Sequence, residues 1–97
     1  MVEPVTDDQV LAMRTAGRSY GAIAKSLGLG RARDAQEAFQ RALRRQPPDA
    51  QAEVREAELR RLNHLATRLQ DKAGITEDEL ARKLRAVTRL REMTLAS

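Results

Sequence analysis

YGAIAKSLGLGRARDAQEAFQRALRR, residues Tyr20 to Arg45, is the stretch on which the fold turns: it predicts a short helix, a glycine-bearing turn and a longer basic helix. The first helix carries Ile23, Ala24 and Leu27 on one face. Ala24 is small enough for a second helix to cross close above it, and Gly28 can take the left-handed backbone that starts a turn. In the second helix Ala35, Ala38, Phe39 and Ala42 recur at the 3.6-residue period and make an inward stripe. The opposite face holds Arg33, Gln36, Gln40, Arg41 and Arg44. Arginine and glutamine have paired donors and acceptors that match guanine and adenine edges, and arginine also neutralises phosphates.

The phrase RTAGRSYGAIAKSLGLG, residues 14 to 30, resembles the first half of the helix-turn-helix of small bacterial and phage DNA-binding proteins. The resemblance covers about half of the chain and implies a trihelical unit that binds double-stranded DNA. In that motif an apolar residue stands ten positions after the small alanine, where this chain has Asp34. Two readings stay open. Either the turn is one residue longer and the stripe moves to Ala35, or Asp34 is an N-cap with Glu37 as its capping-box partner. In the second case the helix begins at Ala35, and Arg31 and Arg33 lie in the turn. On the implied function Arg31, Arg41, Arg44 and Arg45 grip phosphates, and some of Arg33, Gln36 and Gln40 read bases.

Charge follows the same stretch. The chain is formally +4, yet residues 14 to 45 hold Arg14, Arg18, Lys25, Arg31, Arg33, Arg41, Arg44 and Arg45 against Asp34 and Glu37, a local +6. A positive field concentrated on one segment is the footprint of a protein that meets a polyanion. Arginine outnumbers lysine fifteen to three, a pointer to a GC-rich genome such as that of an actinobacterium or its phage.

Upstream, Thr6 reads as the N-cap of a first helix, with Gln9 reaching back and Val5 stapled to Val10. Gly17 supplies a stop, and Ser19 caps the second helix. The expected core of the three helices is Val10, Leu11, Ile23, Leu27, Ala38, Phe39 and Leu43. Tyr20 and Phe39 are the only Tyr, Phe or Trp residues, so aliphatic side chains must fill most of it.

Downstream, Gln46, Pro47, Pro48 and Asp49 break the helical pattern. Asp49 then reads as the N-cap of a helix over 50–73, roughly 36 Å long, with Leu59, Leu62, Ala66, Leu69 and Ala73 on a heptad seam. Gly74 ends it. Thr76 and Glu79 form a capping box, with Ile75 stapled to Leu80, so a last helix starts at Glu77. Its apolar side, Leu80, Leu84, Val87, Leu90 and Met93, can pack antiparallel on the preceding helix across a short loop. Leu65 and Ala81 widen the stripes beyond one partner helix, which predicts a second copy of the chain, or the trihelical unit, on the remainder. Arg82, Lys83, Arg85, Arg89 and Arg91 form a basic run without an acid among them, read first as a solvated face and second as a further phosphate-contacting surface.

Several function classes fall away. Without cysteine there is no disulfide framework and no thiolate site, and the one histidine, His64, has no second ligand of its kind. Glu53, Glu56 and Glu58 read as helix surface, and Glu77, Asp78 and Glu79 as a helix first turn, where acids belong. No phosphate-cradling glycine loop, nucleophile elbow or His/Cys pair is present, so no enzyme, cofactor, metal or small-molecule ligand is expected. No leader or membrane span is recognisable, and a cytoplasmic, nucleoid-associated protein is the expectation.

The sequence therefore predicts an all-α chain: a helix-turn-helix DNA-binding unit over 5–46 and a two-helix antiparallel hairpin over 49–95. The hairpin is expected to form a homodimer through Leu59, Leu62, Leu69, Leu84 and Val87. Transcriptional regulation or chromosome organisation follows as the role. The alternatives are a DNA-recognition subunit similar to the small subunit of phage terminases, or a protein-interaction module of the transcription machinery that keeps the fold without binding DNA. Asp34 and Glu37 favour the last, because phosphates repel acids.

Overall fold

The computed structural model describes residues 4–96, with side chains from residue 6 onward. Every regular element among them is a helix: α1 (Pro4–Thr15), α2 (Tyr20–Leu27), α3 (Ala32–Arg44), α4 (Pro48–Asp71) and α5 (Glu77–Ala96). The chain divides into two compact units, Met1–Val54 and Arg55–Ser97.

In the first unit α1 and α2 both pack on α3, and α1 makes the larger contact. The buried apolar residues are Val10, Tyr20, Ile23, Ala24, Ala35, Ala38, Phe39, Ala42 and Leu43. Leu11 and Leu27 are only half-buried. The four buried positions on α3 other than Phe39 are three alanines and a leucine, which lets α1 and α2 approach closely while the one large ring fills the space between them.

Helix ends explain how so short a chain turns twice. Arg18 donates its amide to the Met13 carbonyl and Gly17 donates to Arg14, which closes α1 with two bonds across a left-handed glycine. Ser19 caps α2 by accepting the Ala22 amide at 3.2 Å. At its other end Gly28 sits at φ 70°, and both its amide and that of Leu29 go to the Ala24 carbonyl. A side chain at that φ would crowd its own backbone, so glycine is required for conformation alone.

Three sequence-based boundaries are corrected. Thr6 is not an N-cap, because α1 already begins at Pro4, whose missing amide hydrogen costs nothing in a first turn. The staple drawn from Val5 lies outside the described side chains. Asp34 is not an N-cap either: α3 begins at Ala32, and Asp34 is its third residue. From there its carboxylate accepts the Arg31 amide at 3.0 Å, while the Arg31 carbonyl accepts the Asp34 amide. The acid thus secures the helix start from inside, near the positive end of the dipole. Arg33 is consequently helical, and Arg31 is the residue before the first turn. Asp49 likewise lies within α4, which starts at Pro48, with the Gln51 amide donating to the Pro47 carbonyl at 2.9 Å.

Gln51 also donates its side-chain amide to the Gln46 carbonyl at 2.7 Å and to that of Arg44 at 3.4 Å. It thereby satisfies carbonyls left over at the end of α3, and the first turns of α4 belong to the first unit.

In the second unit Thr76 accepts the Glu79 amide at 3.1 Å, and α5 starts at Glu77 as its capping signal predicts. Gly74, at φ 81°, lies in the loop before it. Leu62 and Val87 are buried, as are Glu58 and Thr94, the latter with its hydroxyl donating to the Leu90 carbonyl. Leu65 and Leu69 of α4 and Lys83, Ala86, Val87 and Leu90 of α5 line an open apolar groove of about 310 Å³. No helix among the described residues is long and apolar enough to cross a membrane.

Candidate nucleic-acid interface

The outward side of α3 is set by its inward side. With Ala35, Ala38, Phe39, Ala42 and Leu43 buried, the helical repeat of about 3.6 residues places Arg33, Glu37, Gln40 and Arg44 along the opposite line. Arg33, Glu37 and Arg44 are exposed, and Gln36 and Gln40 are half-buried on the shoulder. Arg33 donates to Glu37 across one turn at 3.2 Å. Arg44 and Arg31 are exposed, and neither guanidinium takes part in an ion pair or hydrogen bond. Of the site sequence reasoning proposed, Arg33, Gln40 and Arg44 therefore share one helix face, with the acid Glu37 at its middle.

Arg41 and Arg45 are placed differently. Arg41 sends Nε to Asp7 Oδ2 at 2.9 Å and Nη2 to Oδ1 at 3.1 Å, a two-pronged bond. Arg45 adds a third donor to Asp7 at 3.2 Å and lies 3.7 Å from Asp8. Asp7 is 2 % exposed, whereas the Arg41 and Arg45 side chains keep 34 % and 42 % of their surface. The guanidinium of Arg41 holds the Asp7 carboxyl below the usual carboxylate range, against the desolvation that pushes the other way. In return the bond to Asp7 raises the Arg41 pKa. Two of the cations that would grip phosphate thus bolt α3 to α1, while leaving part of each guanidinium at the surface.

A second clasp joins α1 to α3 through α2. The Arg14 guanidinium lies 3.9 Å from the centre of the Tyr20 ring, and Tyr20 meets Phe39 edge to face with ring centres 5.9 Å apart. Arg14 also donates to the Arg18 carbonyl, and Arg18 to the Ser26 hydroxyl. The aromatic pair contributes about 0.5–1.5 kcal/mol beyond its buried area. A cation over Tyr20 adds a comparable amount.

Sequence reasoning missed Asp7, Arg14 and Tyr20. The signal was present: Asp7, Val10 and Arg14 recur at i, i+3 and i+7, so two charges share the apolar face of α1. A charge on an inward stripe demands a partner, and α3 supplies one.

Of the residues proposed for dimerisation, Leu62 is 0 % and Val87 5 % exposed within a single chain, whereas Leu59, Leu69 and Leu84 are half-buried. His64 is exposed on α4, and among the described residues no group of three or more His, Cys, Asp or Glu is placed to hold a metal ion. No protein-family model, curated protein or solved structure matches the chain.

Proposed function

We propose that the chain is a helix-turn-helix protein that binds double-stranded DNA through α3, with α2 as the supporting helix and the second unit as an antiparallel hairpin. The observation that carries this reading is the division of α3 into a fully buried small-residue face and an outward line of Arg33, Gln40 and Arg44, led by the unpaired Arg31. Arg31 and Arg44 neutralise phosphates, and Arg33, Gln36 and Gln40 read base edges. The exposed parts of Arg41 and Arg45 stay available for a second, weaker contact beside Asp7. The chain acts as a homodimer, since two heads double the contacts and set their spacing. Leu59, Leu69 and Leu84 retain surface for that contact, whereas Leu62 and Val87 serve the interior of one chain. Such a protein regulates transcription or organises the chromosome in the nucleoid, or recognises phage DNA in the manner of a small terminase subunit.

Binding to a duplex library tests the reading. Arg44→Ala should weaken binding to all sequences alike, whereas Gln40→Ala should act on preferred sites alone. If Gln40→Ala and Arg44→Ala both leave binding unchanged, α3 is not the reading helix. Glu37, central on the same line and paired with Arg33, supports a second reading, a protein-binding face of the transcription machinery. In that case Glu37→Gln weakens a protein contact instead of strengthening a DNA one.

A further inference from the structure

We propose that α5 carries a second surface for duplex nucleic acid, a row of Arg82, Arg85 and Arg89 that grips the phosphate backbone without reading bases. It extends the duplex-binding reading to a different helix. The three arginines stand at i, i+3 and i+7, on the side of α5 opposite Leu84, Val87 and Thr94. All three are exposed, and Lys83 and Arg91 are exposed elsewhere on the helix, on the side of Val87. Among the described residues none of the five side chains makes an ion pair or hydrogen bond, although Asp78, Glu79 and Glu92 lie within one turn of them on the same helix.

This is an unfavourable arrangement for the helix alone. Like charges at i,i+3 and i,i+4 each destabilise it by about 0.2–0.5 kcal/mol, and both spacings occur in this row. A polyanion relieves the repulsion. Along the axis the row spans about 10 Å, which matches a few successive phosphates of one strand at about 3.4 Å of rise each. Arginine suits this contact because its fork pairs with two phosphate oxygens at once.

The neighbours of the row select the kind of polyanion. Ala81, Ala86 and Thr88 flank it and Met93, at its end, is half-buried, so Leu95, beyond the row, is the one large apolar side chain of α5 that stands exposed, fewer than a membrane-surface helix requires. Bases of single strands need aromatic platforms, and both aromatic rings of this chain are buried in the first unit. A duplex backbone needs neither.

The test uses the full chain and a short mixed-sequence duplex over a range of salt concentrations. Arg82→Gln/Arg85→Gln/Arg89→Gln should keep its helix content, lower affinity about tenfold or more at low salt and make the salt slope shallower by roughly 2–3, at about 0.9 per phosphate contact. Preference among duplex sequences should not change. An unchanged slope overturns the proposal, and so does loss of binding to phosphatidylserine vesicles with duplex binding intact. Arg31→Gln/Arg44→Gln separates the two surfaces. If that variant alone flattens the slope, the α5 row fails and the α3 reading stands; if the α5 variant alone does so, the row stands and the α3 reading fails.

Discussion

α3 and α5 are both arginine-rich helices, and folding treats their cations in opposite ways. On α3, Arg33 is paired with Glu37, and Arg41 shares the buried Asp7 with Arg45 at the helix end, which leaves Arg44 and the preceding Arg31 unpaired. On α5 all five cations are exposed and unpaired. The acid that neutralises Arg41 is 34 residues away in sequence, so no window around α3 counts it. Whole units agree, against the local +6 of residues 14 to 45: Met1–Val54 holds eight cations against seven acids, and Arg55–Ser97 holds ten against seven. A cluster of basic residues in a sequence thus locates an interface only after the acids that folding brings to it have been subtracted.

The largest expected effect breaks that comparison from the α3 side. Asp7→Ala leaves Arg41 without its two-pronged partner and should destabilise the chain by about 2 kcal/mol in urea denaturation, since the guanidinium groups left behind keep contact with solvent. An unchanged midpoint would mean that the clasp is incidental and that Arg41 is as free as the cations of α5. The variant should also bind duplex more tightly wherever it remains folded, since two guanidinium groups are released.

Acid titration examines the same clasp without replacing its shape. The folded-state pKa of Asp7 is depressed, so its stabilising contribution is complete above the unfolded value of about 4 and is lost as the pH falls through the folded value. Asp7→Asn should therefore flatten the acid limb of the stability curve while lowering the plateau at neutral pH. An acid limb identical to that of the unmodified chain would show that other carboxylates govern acid unfolding.

Smaller effects compare how the units are built. Gly28→Ala forces a side chain into φ 70° and should cost about 1 kcal/mol, although a β-carbon there has open space around it. Thr76→Ala removes the cap of α5 and should cost about 1 kcal/mol, read in the second unit by amide hydrogen exchange. At the bottom of the scale, Glu37→Gln removes an exposed pair across one helical turn and should change stability by less than about 0.5 kcal/mol. On the proposed reading it raises duplex affinity nonetheless. A fall in affinity would favour the protein-binding alternative.

The all-helical class was legible because helix signals are local. Ser19, Gly28, Thr76 and Glu79 each act within one turn of themselves, and the inward stripe of α3 follows its period. Asp34 stayed undecided because two acids three residues apart offer two registers for one helix start, and only the backbone shows which amide the carboxylate receives. The clasp of Asp7 with Arg41 and Arg45 was not legible as a pair, since nothing local names a partner two helices away. The burial of Leu62 but only half-burial of Leu59 and Leu69 was equally hidden. A heptad gives which residues share a face, and not which of them one chain covers by itself.

The most direct measurement is the affinity of the full chain for duplex DNA as a function of salt, followed by fluorescence anisotropy. If α3 and α5 both meet phosphate, log affinity falls linearly with log salt, with a slope of roughly −4 to −5 for each chain engaged, at about five phosphate contacts per chain. Absence of binding at the lowest salt, or an affinity that salt does not change, would contradict the account.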